Sequence, residues 1–388
     1  MKNIFRIQKR LTFTLAIISI SALIHAQSCV PGMFTRQGQV DSFKINYPGC
    51  TIIAGNMTLT RDVQQLDSLH LITKVKGNLF INNSKLATLI GLQSFDSTGR
   101  ISISENSQLI NLDGINKLKY CDDLTISNCF QLTDITGISQ VSLKGLFIVN
   151  CFKLKKIVGF NTAKKLSASI NIIENFDVDT IDAFHNIDSI NGRLRINGHN
   201  KLKMLSMGEK LKYIRDDLEI TNSPLLPSLP DFPLLDNVRT VKLENLHGLQ
   251  QISSFPVLNQ ARQDVLIQQN DKLEYINAFN ALSQIGRDLL IQKLPVLKEI
   301  SGFNKLAVVN RSMSFDQLNK IKNLNSFAAL NQTDSIAIRT CQSLEDISGI
   351  IKLDFSKLNY LGLTGNENLA YCHYFPLCVY LQENRGRH

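Results

Sequence analysis

Residues 79–86 read LFINNSKL, residues 124–132 read LTISNCFQL and residues 218–225 read LEITNSPL. In each stretch two apolar residues stand two positions apart, an asparagine follows two positions later, and a further apolar residue closes the unit. Apolar residues at alternate positions point to one face of a β-strand. The three stretches therefore predict the same short strand followed by the same corner.

The unit recurs along the chain at intervals of 22 to 25 residues. One unit cannot cover its own apolar face, whereas stacked units bury a continuous core and pair their backbones with one another. We therefore predict an all-β fold, a parallel β-solenoid of about fourteen rungs with capped ends, in which one rung is one repeat. The second apolar residue of each strand falls at Leu59, Ile81, Ile103, Ile126, Ile148, Ile172, Ile196, Ile220, Leu243, Ile267, Ile291, Phe315, Ile338 and Leu363.

A second apolar pattern follows most of these strands. It places an apolar residue, another three positions on, a usually small residue two positions later, and then Leu, Ile or Phe, as in Leu154, Ile157, Gly159 and Phe160. The small residue suits a tight bend in which a Cβ atom would collide. The phenylalanines that follow it are predicted to stack as a column in the core. The pattern degrades over residues 202–208.

An asparagine occupies the end of several strands in one register. Asparagine side chains can bond to backbone groups that a corner leaves unpaired. We therefore predict a structural column, without a role in ligand binding, formed by Asn83, Asn128, Asn150, Asn222 and Asn245.

The strand and its asparagine corner resemble the core of the leucine-rich repeat. The longer form, with Gly-Leu, Gly-Ile or Gly-Phe after many strands, is similar to the receptor L-domain-like repeats, which also occur in exported proteins of Bacteroidota-type bacteria. Residues 43–50, FKINYPGC, look like the opening of those bacterial members. The resemblance covers roughly residues 29–380 and implies a right-handed β-solenoid built of LRR-like rungs. It names no ligand, because a fold does not determine a function.

The first residues are typical of a secretory signal. Met1–Arg10 is cationic, residues 11–24 are apolar, and the small Ala26 stands at a plausible cleavage site. Two alternatives remain open, an uncleaved anchor and a lipoprotein acylated at Cys29. No later stretch approaches the ~20 apolar residues of a transmembrane helix. We predict a secreted protein or one at the surface of the cell envelope, without a transmembrane segment after cleavage.

The predicted organisation has four parts. These are a signal peptide at 1–26, an N-terminal cap at 27–54, the repeats at 55–371 and a C-terminal cap or tail at 372–388. A solenoid must close its ends, because exposed strand edges recruit other chains.

Cysteine pairs are the expected staples of the two caps. All eight cysteines lie beyond the predicted signal, and none has the spacing of a zinc finger. Disulfides persist in exported proteins. The candidate pairs are Cys29 with Cys50 at the N-terminal end and Cys372 with Cys378 at the C-terminal end.

The remaining cysteines lie in the middle of the chain. Cys129 and Cys151 fall on adjacent rungs, ~5 Å apart at the spacing of paired strands. A bond between them is possible, although side chains stacked in parallel are poorly aimed at each other. Cys341 is eight rungs further on and is predicted to be a buried thiol, and the state of Cys121 stays open.

Basic residues are concentrated in the middle of the chain. The whole sequence has a net charge of +9, of which four cations lie in the predicted signal, and residues 144–215 hold 13 Lys and Arg against 6 Asp and Glu. Basic side chains in one register could attract an anionic glycan or lipopolysaccharide, and the alternative is a solvated face of mixed charge that only keeps the protein soluble. The candidate patch consists of Lys153 and Lys201 in one register and Lys155 and Lys203 in another, interrupted by Asp177 and Asp179 on the rung between.

Sequence motifs of catalysis are not evident. Solenoid enzymes gather carboxylates or cations on adjacent rungs, whereas the acidic residues here are scattered, and no nucleophile elbow, phosphate loop or metal-binding helix signature is found. We predict a non-catalytic exported or cell-surface scaffold, without a cofactor, that binds an extracellular protein or glycan along the solenoid face. The alternative is a carbohydrate-active β-solenoid enzyme resembling polysaccharide lyases or hydrolases.

Aromatic residues do not point to stacking on sugars or bases. The chain has no tryptophan, and its eight tyrosines are out of register. Nucleic acid is not expected as a partner, because the protein is predicted to be exported and lacks aromatic residues interleaved with its basic residues.

Overall fold

The computed structural model describes residues 27–369 and 375–382, and the predicted signal at 1–26 lies outside them. The described chain coils as a parallel β-solenoid with one long main sheet, which confirms the predicted fold class. The strands of the main sheet are Met33–Arg36, Met57–Asp62, Leu79–Ser84, Ile101–Ser104, Asp123–Ser127, Gly145–Val149, Ile170–Ile173, Leu194–Asn197, Asp217–Thr221, Thr240–Glu244, Val265–Gln268, Asp288–Gln292, Val308–Asp316, Gln332–Arg339 and Tyr360–Thr364.

The predicted inward residues set the register of this sheet. All fourteen lie in its strands and are buried. Ile126 is the partner of Ile148, and Ile148 of Ile172, so like residues stack in columns. We number the rungs 1 to 14 from Leu59 to Leu363. The strand Met33–Arg36, within the predicted N-terminal cap, pairs with rung 1 and extends the sheet by one strand.

Two further sides complete each rung. The second side carries two three-stranded sheets, Lys156–Gly159, Thr180–Ala183 and Met204–Ser206, then Gln251–Ile252, Tyr275–Ile276 and Glu299–Ile300. The third side carries the strands Gln27–Cys29, Cys50–Ile53, Lys74–Val75, Ser97–Thr98, Lys165–Leu166, Ser189–Ile190, Tyr213–Ile214, Asn237–Val238, Gln260–Ala261 and Gln284–Ile285, and continues into the first residues of Val308–Asp316 and Gln332–Arg339.

Helices are short and lie mainly at the ends and corners. The α-helices are Gln37–Asp41, Phe43–Asn46 and Phe375–Gln382, and the 3-10 helices are Asp67–Leu69, Thr136–Ile138, Asn325–Phe327, Ser348–Ile350 and Phe355–Lys357. Within the described residues, none of the helices has the length and apolar character needed to cross a bilayer.

A left-handed residue ends the main-sheet strand in each of the fourteen rungs. It stands two positions after the inward residue, and its φ lies between 49° and 78°. Asparagine tolerates this conformation better than most residues. The five predicted asparagines occupy this register, where Asn150 donates a side-chain hydrogen bond to Asn128 at 2.9 Å and Asn245 donates one to Asn222 at 2.7 Å.

The backbone-bonding role expected of those asparagines is filled one residue later. Asn175 accepts a hydrogen bond from the backbone N–H of Cys151 at 2.9 Å and donates one to the carbonyl oxygen of Ile148 at 2.9 Å. This register points into the core, so its amides reach backbone groups of the rung before. The asparagines that bond in this way are Asn106, Asn175, Asn270 and Asn366.

Phenylalanines stack inside the second corner, as predicted. Phe232, Phe255, Phe279 and Phe303 are fully buried, with ring centroids 5.0 to 5.5 Å apart. At Gly302, the residue before Phe303, a Cβ atom would overlap the carbonyl oxygen of Ala278, so a small residue is needed there.

The N-terminal cap is stapled as predicted, by a disulfide between Cys29 and Cys50 with a Cα–Cα distance of 6.0 Å. At the other end, the helix Phe375–Gln382 buries Leu377 and Tyr380 against the core. Cys378 is half-buried in this helix. Its predicted partner Cys372 lies outside the described residues.

The four middle cysteines are buried thiols, and Cys129 is not bonded to Cys151. Each Sγ of Cys129, Cys151 and Cys341 lies within 3.8 Å of a backbone carbonyl oxygen. Burial raises the pKa of Cys121 and Cys151 to about 12 and that of Cys341 to about 11. The prediction for Cys341 is confirmed.

Candidate functional site

The predicted basic patch is partly neutralised within the protein. Asp177 on rung 6 forms ion pairs with Lys155 at 2.6 Å and with Lys201 at 2.5 Å, and these hydrogen bonds lower the pKa of its carboxyl group. Lys153 donates a hydrogen bond to the neutral amide of Gln131 at 2.7 Å. Lys203 is exposed. The four lysines therefore lie near one another on rungs 5 and 7 without forming a bare cationic column.

An aromatic ladder lies directly beside this patch. Phe130, Phe152 and Phe176 stand four positions after the inward residues of rungs 4, 5 and 6, and their ring centroids are 5.0 and 4.8 Å apart. Phe130 is 43% exposed and the other two are half-buried. We call these three residues the aromatic ladder.

The geometry of the ladder decides which part of each ring is available. Phe152 is tilted by 24° from Phe130 and by 9° from Phe176, so both of its faces are covered by its neighbours. A sugar stacks on the face of an aromatic ring, whereas apolar side chains of a protein also pack against ring edges. The ladder therefore suits apolar side chains better than a sugar.

Apolar residues also point outward from the main sheet on the same rungs. Phe147, Val149 and Ile173 are half-buried, and Val149 is the strand partner of Ile173. On rungs 7 and 8 the outward positions instead hold an ion pair between Arg195 and Glu219 at 2.9 Å. The surface thus changes from apolar to charged along the main sheet.

The acidic residues at the starts of strands are bonded to the next rung. Asp217 accepts hydrogen bonds from Arg239, and Asp288 accepts them from Arg311. Burial alone would raise the pKa of the Asp217 carboxyl, but the Arg239 guanidinium holds it below its usual value. These carboxylates therefore link neighbouring rungs through hydrogen bonds and ion pairs.

The second side holds a different cluster on rungs 6 and 7. The ring of His185 has Nδ1 2.8 Å from the carboxylate of Glu209 and Nε2 2.9 Å from Asp182. Burial lowers the pKa of His185, but the hydrogen bond and charge of Glu209, together with Asp182, outweigh it and leave the pKa raised. Glu209 also lines a cavity of about 390 Å³ that extends to rung 9.

The sequence carried a signal for the ladder. Each of its phenylalanines directly precedes Gln131, Lys153 or Asp177, which occupy one register of the basic patch. The ladder was not predicted, because the sequence pattern gave a role only to the phenylalanines that follow the small residue. The register of the basic residues places the three phenylalanines at one position of the repeat, but only the stacked structure shows that their rings are partly exposed.

Comparison with known proteins adds no assignment. No protein-family model matches the chain, and no curated protein matches it.

Proposed function

We propose that this protein is an exported, non-catalytic interaction scaffold, and that it binds a partner protein with an apolar and acidic surface on the aromatic ladder. The observation that carries the proposal is the partly exposed stack of Phe130, Phe152 and Phe176, of which Phe152 and Phe176 lie within the basic stretch 144–215.

The apolar part of the interaction follows from the ladder. Aromatic residues dominate the binding energy of protein interfaces when they are buried at the centre of a contact. Phe130 exposes 43% of its surface, which a partner could remove from water. Since the stacked rings are held in one orientation, they lose little conformational freedom on binding.

The acidic character of the partner follows from charge. Residues 144–215 carry seven more cations than anions, and the ammonium group of Lys153 is bonded to a neutral amide. Complementary charge steers association and selects the partner. Lys153 directly follows Phe152 in the chain, so the apolar and basic elements belong to one surface.

Export is supported by two observations. The N-terminal sequence is typical of a signal peptide, and the cap of the solenoid carries a disulfide between Cys29 and Cys50. Disulfides form and persist in oxidising compartments.

The test uses the immobilised protein and the envelope and culture-supernatant proteins of the producing cell. We expect the wild type to retain an acidic protein. The amount retained should fall at least tenfold with Phe152→Ser, and it should also fall with Lys153→Glu, by an amount that depends on the salt concentration. Phe80→Ser is the matched control, because Phe80 is a half-buried outward residue on rung 2. Circular dichroism checks that each variant is folded.

Two outcomes would overturn the proposal. One is retention that is unchanged in both Phe152→Ser and Lys153→Glu. The other is binding of a glycan, and of no protein, that depends on Phe152.

A further inference from the structure

We infer that the cavity on the second side, at rungs 7 to 9, is a binding site for a neutral saccharide unit. It lies on different rungs from the aromatic ladder, and none of the ladder's phenylalanines lines it. The inference is therefore independent of the proposed partner protein.

The cavity exists because prolines interrupt the lateral ladder of hydrogen bonds. Asp179 and Lys203 each donate a backbone N–H to the carbonyl oxygen of the rung before. Pro227 occupies the same register on rung 8, and proline has no N–H to donate. Rung 8 accordingly has no strand on the second side, although rungs 7 and 9 do. Four of the nine prolines lie within residues 224–233.

A charged residue then stands in a register that most other rungs fill with a small residue. Asp231 occupies the register of Gly302 and Gly349, where a Cβ atom would overlap a carbonyl oxygen of the rung before. The side chain of Asp231 is exposed beside the interruption at rung 8 and lines the cavity. Positions at which a repeat breaks its own pattern are where function is expected.

The groups that line the cavity match a polyhydroxylated ligand. Hydroxyl groups come from Ser206, Ser228 and Ser253, an amide from Gln251, and carboxylates from Glu209 and Asp231. A sugar hydroxyl both donates and accepts hydrogen bonds, and this set offers both. Prolines and leucines supply the apolar walls that ligand pockets usually have, and a volume of about 390 Å³ lies in the range of small-ligand sites.

Charge narrows the class of saccharide. Among the described residues, those that line the cavity include two carboxylates and no Lys or Arg. An anionic sugar such as a uronate would be repelled. A cationic ligand is less favoured than a neutral one, because the charge of Glu209 is already met by His185 at 2.8 Å and most of the polar lining is uncharged.

The experiment titrates the full mature chain with glucose, galactose, mannose, N-acetylglucosamine and glucuronate, using calorimetry or ligand-observed NMR. We expect one neutral sugar to bind and glucuronate not to bind. Asp231→Asn should weaken binding at least tenfold, and Ser228→Phe should abolish it by filling the cavity. The control is Asp236→Asn, an exposed carboxylate on the same rung that does not line the cavity.

The inference is overturned if none of the neutral sugars binds at millimolar concentration, if glucuronate binds better than they do, or if Asp231→Asn and Ser228→Phe both bind like the wild type. Loss of saccharide binding in these variants with retained capture of the partner protein would leave the proposed function intact.

Discussion

Nδ1 of His185 lies 2.8 Å from the carboxylate of Glu209 on the next rung. The other ring nitrogen lies 2.9 Å from Asp182, so one imidazole joins two carboxylates across rungs 6 and 7. Two anions around one ring stabilise its protonated form. The cluster is therefore both a strut between rungs and a group whose contribution changes with pH.

The first prediction concerns the pH dependence of this strut. The pKa of His185 is raised in the folded protein, so its stabilisation is complete below the unfolded pKa of ~6.5 and is lost as pH rises through the folded value. His185→Gln should reduce the free energy of unfolding by about 0.5 kcal/mol in acid, as partly exposed pairs do, and by less at pH 8.5. Urea unfolding at pH 5.5 and 8.5 measures this. An equal reduction at both pH values would contradict it.

The second prediction concerns the fully buried His199. It occupies the register of Asn175 and Asn270, and its ring nitrogens lie 3.1 Å from the carbonyl oxygens of Asn175 and Ile172. Burial lowers its pKa, and a neutral imidazole can donate to only one of two carbonyls. His199→Asn should restore the bonding seen at the other asparagines and raise the free energy of unfolding by about 1 kcal/mol.

The effect of this substitution should grow in acid. Because the folded pKa of His199 is lowered, protonation favours the unfolded chain, and the wild type loses stability as pH falls below ~6.5. The variant lacks this loss. Urea unfolding at pH 5 and 7.5 measures this difference. Asn175→Ala is the reverse control and should lower the free energy of unfolding by about 1–3 kcal/mol, because it leaves buried backbone groups without a hydrogen-bond partner. A less stable His199→Asn protein would refute the assignment.

The third prediction concerns thiol reactivity. Only the thiolate is an effective nucleophile, and burial raises the pKa of Cys121, Cys151 and Cys341 well above neutrality. At pH 8 iodoacetamide should leave these three and Cys129 unmodified in the native protein and alkylate all four in denaturant. Peptide mass spectrometry reads each position. Modification of any of them in the native protein would show that its rung opens under native conditions.

The strand register was predictable because its signal is local. Two apolar residues at alternate positions, repeated fourteen times, leave one way to bury the apolar face, and Ile126, Ile148 and Ile172 align accordingly. The asparagine corner was placed correctly, but its role was not. Asn128 is left-handed, and the next residue points inward. Which of the two neighbouring positions points inward depends on the backbone angle φ of Asn128, and the spacing of the repeat does not reveal that angle.

The candidate sites could not be derived from the repeat pattern, because each depends on a departure from it. To identify the aromatic ladder, one must know that Phe152 stacks at the surface whereas Phe160 is buried in the core. The cavity needs Pro227 to fall on the position whose N–H pairs with the rung before. The first fact is the side of the rung to which a side chain points, and the second is the hydrogen bond that a backbone N–H makes. Only the stacked structure shows either of them.

The last prediction tests whether the chain gives up stability to form the cavity. Replacing Pro227 with Lys and Pro230 with Ser gives rung 8 the residues that rung 7 has at the same positions, Lys203 and Ser206. The two restored N–H groups should extend the lateral sheet across rung 8. Each backbone hydrogen bond contributes about 1 kcal/mol to the free energy of unfolding. Each lost proline lowers that free energy by about 0.4–1 kcal/mol, because it increases the entropy of the unfolded chain. We therefore expect a small gain in the free energy of unfolding, together with loss of saccharide binding as the cavity closes. Urea unfolding and sugar titration of the double variant measure both, and a destabilised protein that still binds sugar would show that the prolines do not create the site.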